Sequence, residues 1–282
     1  MNTDQVLPAA VGLARATHPL PTVGVTALTT SLAIATGTSP ARTALLAAAV
    51  VSGQVAVGLH NDLVDRDRDR AVGRPDKPLA TGAVSLSAAR AALAGAVLSC
   101  VVLSLSLGTA PAVAHLSAVA IAGAYNGGLG GNAGLKGTWA SWVPYAGAFA
   151  LLPVTVWLVS PMAGLPPWWL VSAAALLGAG AHGANVLPDL ADDRATGIRG
   201  LPHRLPEPAL RVVTSALLLA GLALVTVSPR GDASWEPVAL GAGAALAVSA
   251  NLPQVRRQWP LLAALGIGML AIVILVARGR AA

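Results

Sequence analysis

Three stretches of the chain, Ala88–Leu107, Val212–Val227 and Leu261–Ala277, run for nearly a membrane's depth almost without charge. Each approaches the ~20 apolar residues that a helix needs to cross bilayer hydrocarbon. Charged residues make up 11% of the 282 residues and hydrophobic ones 55%, against roughly 25% charged in an ordinary soluble domain. So little charge cannot cover a water-facing surface, which excludes a soluble enzyme, and so much apolar side chain excludes a disordered chain. The chain reads as an all-α, polytopic membrane bundle forming a single domain over residues 1–282.

Apolar runs bounded by charge, Gly or Pro predict nine transmembrane helices, over 20–37, 41–60, 84–107, 110–124, 139–159, 167–185, 209–228, 235–251 and 259–277. No basic segment leads directly into an apolar run at the N-terminus, so no cleaved signal peptide is expected. With the N-terminus in the cytoplasm, fourteen of the eighteen Lys and Arg residues fall inside, which makes the long polar loops cytoplasmic. The net charge of +6 is spread between spans as orientation signals, so no nucleic-acid partner is expected. The single cysteine, Cys100, lies in an apolar run and reads as a small buried hydrophobe.

The acids carry more information. Nine of twelve lie in two of the long loops: Asp62, Asp65, Asp67, Asp69 and Asp76, then Asp189, Asp192, Asp193 and Glu207. The two loops also match each other. NDLVDRDRDRAVG (61–73) and NVLPDLADDRATG (185–197) align at a constant offset of 124, pairing Asn61 with Asn185, Asp65 with Asp189 and Asp69 with Asp193. Four expected spans separate the copies, so both enter the same side of the membrane, as two parallel pseudo-repeats facing one cavity.

In each copy Asn, Asp and Asp stand at i, i+4 and i+8, a spacing that stacks them on one helix face. Like charges so placed repel, and acids near a helix C-terminus oppose its macrodipole. A bound cation accounts for such an arrangement. Carboxylate and amide oxygens suit Mg²⁺, which keeps waters and is commonly completed by substrate phosphates, so two facing clusters point to a diphosphate. A second account has the interleaved arginines neutralising the acids, Asp62 with Arg66, Asp65 with Arg68 and Asp189 with Arg194. Two copies in one register favour the metal. Arg74, Lys77, Lys136 and Arg194 stand near the clusters as candidate clamps on phosphate oxygens.

These residues resemble the motifs of a known family. NDLVDRDRD and the following GRPDKPLATGAVS resemble the NDxxDxxxD motif of the UbiA superfamily of intramembrane prenyltransferases and its continuation. DLADD resembles that family's second motif, DxxxD. The resemblance implies an enzyme that binds a prenyl diphosphate through Mg²⁺, ionises it to an allylic cation and transfers it to a small aromatic, quinone-precursor or lipid acceptor. It implies that Asp65, Asp69, Asp189 and Asp193 are catalytic and, with Asn61, Asp62 and Asn185, hold the metal. Arg74, Lys77, Lys136 and Arg194 would then bind the diphosphate, and Tyr125, Trp142 and Tyr145 would touch the prenyl group or the acceptor. The expected location is the bacterial cell membrane, with the site facing the cytoplasm. Two features depart from the family pattern: an insertion separates Tyr125 from Lys136 where relatives carry YxxxK, and Val186 replaces an acid or amide. A membrane terpene cyclase, a phosphoribosyl transferase acting on polyprenyl phosphate and, from another class, a cation-coupled transporter are the alternatives.

Overall fold

A computed structural model describes residues 9–128, 134–162, 164–226, 236–251 and 257–277. Among them, a helix stands at each of the nine apolar segments: α1 (Pro19–Ala35), α2 (Pro40–Ala71), α3 (Leu86–Ser106), α4 (Thr109–Asn126), α5 (Trp142–Val159), α6 (Trp168–Val186), α7 (Glu207–Thr226), α8 (Glu236–Ser249) and α9 (Trp259–Ala277). Proline opens α1 and α2, where its missing N–H would have no intrahelical partner anyway. Ser85 caps α3, its Oγ accepting from the Ala88 amide at 3.2 Å.

Six helices among the described residues are long and apolar enough to cross a membrane: α2, α3, α5, α6 with its continuation to Ala195, α7 and α9. A helix thus stands at each expected position, and six of the nine meet the length and hydropathy of a span over the described residues. Over the described residues α8 runs for 14 residues, about 21 Å against the ~30 Å of hydrocarbon, with 227–235 before it outside them. Pro111, His115 and Asn126 lower the hydropathy of α4, and α1 has 17 residues.

The helices form a closed ring. Each of α1 to α7 packs on its neighbour in sequence, α2 also packs on α4, and α9 joins α7 back to α1. The core of this ring includes Leu46 and Val50 of α2, Val156 of α5, Leu218 and Leu222 of α7, and Ile267 and Ile274 of α9. Small residues let the ring close tightly at α6, where a Cβ on Gly178 would stand 2.5 Å from the Tyr145 carbonyl oxygen. At the end opposite the acidic clusters, Arg42 donates to the Val159 and Leu107 carbonyls at 3.0 and 3.2 Å. It thereby ties together the C-termini of α5 and α3, where a cation also complements the helix dipole.

The longest helix positions the chemistry. The first twenty residues of α2 contain Arg42 as their one charge, and all of its acids come later. Thirty-two residues make a rod of about 48 Å, so its last turns extend beyond a ~30 Å apolar slab.

Candidate active site

The ring encloses a cavity of about 770 Å³. One end is polar and the remainder is walled by side chains such as Val25, Leu28, Val57, Leu152, Leu177 and Ile272. Both Asn/Asp triplets line the polar end: Asn61, Asp65 and Asp69 from α2, and Asn185, Asp189 and Asp193 from the end of α6 and its continuation. Residues 124 positions apart in sequence thus face the same space.

The two triplets get there differently. The first rides one face of a continuous helix. In the second the α-helix stops at Val186, a 3₁₀ turn covers Leu187–Asp189, and a new helix runs Leu190–Ala195. Pro188 lacks the N–H that would continue the ladder, so the expected helical stacking does not hold there. The break still leaves all three polar side chains on the cavity.

Cations from three connections and from the last turns of α2 converge on these acids. Lys136, only 6% exposed, pairs with Asp65, which also takes Arg68 Nη1 at 2.9 Å. Arg74 forms a bidentate pair with Asp76, both contacts 2.9 Å, and reaches across to Asp189 at 3.3 Å. Arg257, from the connection before α9, also pairs with Asp189. The Asn61 amide donates to Asp65 at 3.1 Å and to the Asn126 side-chain oxygen at 3.2 Å. His203 Nε2 lies 3.0 Å from Asp193.

These pairs set the charge states of the loop residues. The Arg74 guanidinium is held above its ordinary value by its bond to Asp76, against burial, with Asp189 adding to the effect. Asp76 is correspondingly held well below the usual carboxylate range by Arg74. Burial pushes Lys136 down, against the attraction of Asp65. Burial acts the same way on Lys77, but there the Asp62 carboxylate outweighs it and the amine is raised.

Of the expected site residues, Asn61, Asp65, Asp69, Asn185, Asp189, Asp193, Arg74, Lys77, Lys136, Tyr125 and Tyr145 all line the cavity. Tyr125 and Tyr145 pack edge to face with ring centroids 5.1 Å apart. Three residues do not line it. Asp62, 2% exposed, is turned into a buried knot with Lys77 Nζ at 2.6 Å and His18 Nε2 at 2.7 Å. Arg194 donates to the carbonyls of His203 and Leu205 at 3.0 and 2.7 Å, clasping its own loop. Trp142, at 40% exposure, faces outward. Of the anticipated neutralising pairs, Asp65 with Arg68 forms, whereas Arg66 pairs with Asp67 and Arg194 with the two carbonyls. The insertion after Tyr125 lies partly outside the described residues, and the chain resumes at Gly134–Gly137.

Sequence reasoning did not assign Arg68, Asn126, His203 or Arg257 to a binding site, although all four line the cavity. Gly200 belongs with them in a supporting way. A Cβ at this position would stand 2.4 Å from the Lys136 carbonyl oxygen and 2.8 Å from Ser141 Oγ, so a glycine there lets the loop close over the Lys136 turn.

The donor set fits a hard divalent cation, because six amide and carboxylate side chains supply oxygen alone. Among the described residues no three His, Cys, Asp or Glu side chains are grouped so as to hold an ion by themselves. Such a site needs further oxygens from a ligand, as a diphosphate provides.

A family model for the UbiA prenyltransferase family matches residues 23–278. No curated protein matched the sequence. Among solved structures, the chain is similar to a UbiA homologue from Archaeoglobus fulgidus bound to GPP and Mg²⁺, with 17% identity, a TM-score of 0.70 and coverage of 95% of this chain and 98% of that one. It is also similar to an apo UbiA homologue from Aeropyrum pernix K1, with 20% identity, a TM-score of 0.66 and coverage of 91% and 97%. A structure of digeranylgeranylglyceryl phosphate synthase matches with 14% identity, a TM-score of 0.62 and coverage of 98% and 99%. At these identities the likeness is one of fold.

Proposed function

The chain belongs to the UbiA prenyltransferase family, and on that premise we propose that it transfers a prenyl group, with Mg²⁺, from a prenyl diphosphate to an aromatic or quinone-precursor acceptor. The observation that carries this reading is the convergence of two Asn/Asp triplets, 124 residues apart, on the polar end of one cavity whose remainder is apolar. That shape matches an amphipathic ligand with a highly charged head and a hydrocarbon tail.

Asn61, Asp65 and Asp69 on one side, and Asn185, Asp189 and Asp193 on the other, hold the metal. Bound Mg²⁺ supplies charge stabilisation to a departing diphosphate. Arg68, Arg74, Lys77, Lys136 and Arg257 take the remaining diphosphate oxygens, which requires Lys136 to leave Asp65 and Arg74 and Arg257 to leave Asp189. Those cations stand directly against the acids in this structure, so both halves of the site are already gathered at one end of the cavity. Charge grows on the leaving oxygens as the C–O bond breaks, and donors held there lower the barrier because they bind that state more strongly than the substrate. Tyr125 and Tyr145 line the same cavity, and a ring face turned to the allylic cation shelters it. Asp62 contributes by anchoring Lys77 and His18, and Arg194 by fixing the loop that carries His203.

The same reading takes the nine helices of the one domain as transmembrane, in two parallel pseudo-repeats that each place a motif at the end of their second helix. It sets the protein in a bacterial cell membrane with the site facing the cytoplasm, as the excess of basic residues on those loops supports. Purified protein with Mg²⁺ and prenyl diphosphates of increasing length, with and without a phenolic acid, tests it. Pyrophosphate release that requires the phenol is the expected result. Release without any acceptor, giving a hydrocarbon or terpene alcohol, makes the protein a cyclase instead.

A further inference from the structure

The apolar part of the cavity is interrupted by four polar side chains: Thr22, Thr29, Gln54 and His115. The two threonines are internally satisfied, donating to the Thr17 and Val25 carbonyls at 2.8 Å each. Gln54 and His115 are different. The Gln54 amide has no hydrogen-bond partner among the described residues. His115, 3% exposed, uses Nδ1 alone, at 2.8 Å from Ser104 Oγ.

That one contact fixes what the other nitrogen can do. The Ser104 hydroxyl donates its proton to the Cys100 carbonyl at 2.5 Å, so it accepts from His115, and Nδ1 carries the ring proton. In the neutral ring Nε2 is then a bare acceptor. Gly53 makes room for this edge of the ring: a Cβ there would stand 3.2 Å from Nε2 and 2.9 Å from a Val119 methyl. The His115 ring therefore lies against α2 at Gly53, the residue before Gln54, and both side chains line the cavity. Neither group is among the buried side-chain atoms left without a partner, so both are open to the cavity, and a chain that displaces water from it must satisfy them or leave them costly.

Gln54 lies seven residues before Asn61, on the same face of α2 and about 10 Å further into the chamber. Roughly eight C–C bonds of about 1.5 Å, laid in zigzag, cover that depth. We propose that Gln54 and His115 form a hydroxyl-binding subsite in the hydrocarbon chamber, and that the favoured substrate carries an oxygen function about two isoprene units from its diphosphate. A hydroxyl there donates to His115 Nε2 and accepts from the Gln54 NH₂, satisfying both at once. This rests on the reading that the chamber receives the prenyl chain.

The test is the affinity of non-cleavable geranyl thiolodiphosphate, with and without a hydroxyl on its terminal carbon, for the full-length protein with Mg²⁺. Wild type is expected to bind the hydroxylated analogue at least about tenfold more tightly, the scale of one or two well-made hydrogen bonds. Gln54→Leu and His115→Asn should each erase most of that preference. Gln54→Leu should also melt no lower than wild type, since it removes an unpaired amide, whereas a purely structural glutamine would lower the melting temperature. Equal affinity of the two analogues for wild type overturns the subsite alone. So does a preference for the bare chain that Gln54→Leu strengthens, which makes the pair a water site. Failure of wild type to bind either analogue overturns the prenyl reading of the chamber as well.

Discussion

Replacing Lys136 by Met separates the two duties assigned to this residue, because they respond in opposite directions. Lys136 pairs with the Asp65 carboxylate, while Arg68 stands as a second partner at 2.9 Å. Met keeps the volume of the buried stem and removes the charge. Two unit charges 4 Å apart interact by about 4 kcal/mol at an effective dielectric of 20, and a hydrogen bond to a charged group nets about 1.5–3 kcal/mol after solvent is counted. Metal entering at Asp65 no longer has to displace that competitor, so Mn²⁺, used as a spectroscopic substitute for Mg²⁺, should bind the substrate-free variant roughly tenfold more tightly. Catalysis should move the other way. Loss of one donor to charge that develops in the transition state costs about 10²–10³ in kcat. Electron paramagnetic resonance titration reads the first quantity and pyrophosphate release the second. A misfolded variant would lose both. An unchanged kcat, or metal affinity that stays level or falls, refutes the assignment.

Other positions give sharper contrasts between stability and chemistry. Asp62→Asn leaves the buried Lys77 charge without its partner, so it should cost about 3–5 kcal/mol of stability by thermal denaturation in detergent while metal affinity changes little. Gly200→Ala drives a Cβ into the Lys136 carbonyl, and should lower kcat about tenfold or more through displacement of that turn. Arg257→Gln removes a half-exposed cation from Asp189 and should raise the KM for prenyl diphosphate about tenfold with a smaller change in kcat. Because Arg74 holds Asp76 below the ordinary carboxylate range, that pair's contribution to stability is complete above about pH 4 and is lost as the pH falls further. Asp76→Asn should flatten the acid side of the stability profile, by under about 1 kcal/mol for so exposed a pair.

The residues that were legible in the sequence are those whose neighbours follow from local periodicity. Asn61, Asp65 and Asp69 share a helix face by spacing alone, and the offset repeat extended the inference to Asn185, Asp189 and Asp193. Asp62 sits one position, or 100°, around the same helix. Its turn away from the cavity depends on Lys77 and His18, 15 and 44 residues distant. Arg257 reaches Asp189 only because α9 closes the ring against α1 and α7, and ring closure leaves no mark on local sequence. Arg194 stands at the matching place in the repeat, yet its partners are two carbonyls created by the loop's own fold. Pro188 was visible as a breaker, but a shared i, i+4, i+8 spacing suggested the same helix twice. Apolar runs likewise located all nine helices, while length and hydropathy over the described residues mark six of them as long and apolar enough to cross.

The central claim is that the two triplets act on one metal–diphosphate complex. Mn²⁺ binding measured with and without a non-cleavable prenyl diphosphate, in wild type, Asp65→Ala, Asp193→Ala and the double variant, tests it most directly. The account predicts that the diphosphate strengthens Mn²⁺ binding in wild type, that either single substitution abolishes most of this enhancement, and that the double variant is little worse than either. Two triplets serving separate ligands would give losses that add, with each single variant keeping the other half of the enhancement, and that result would contradict it.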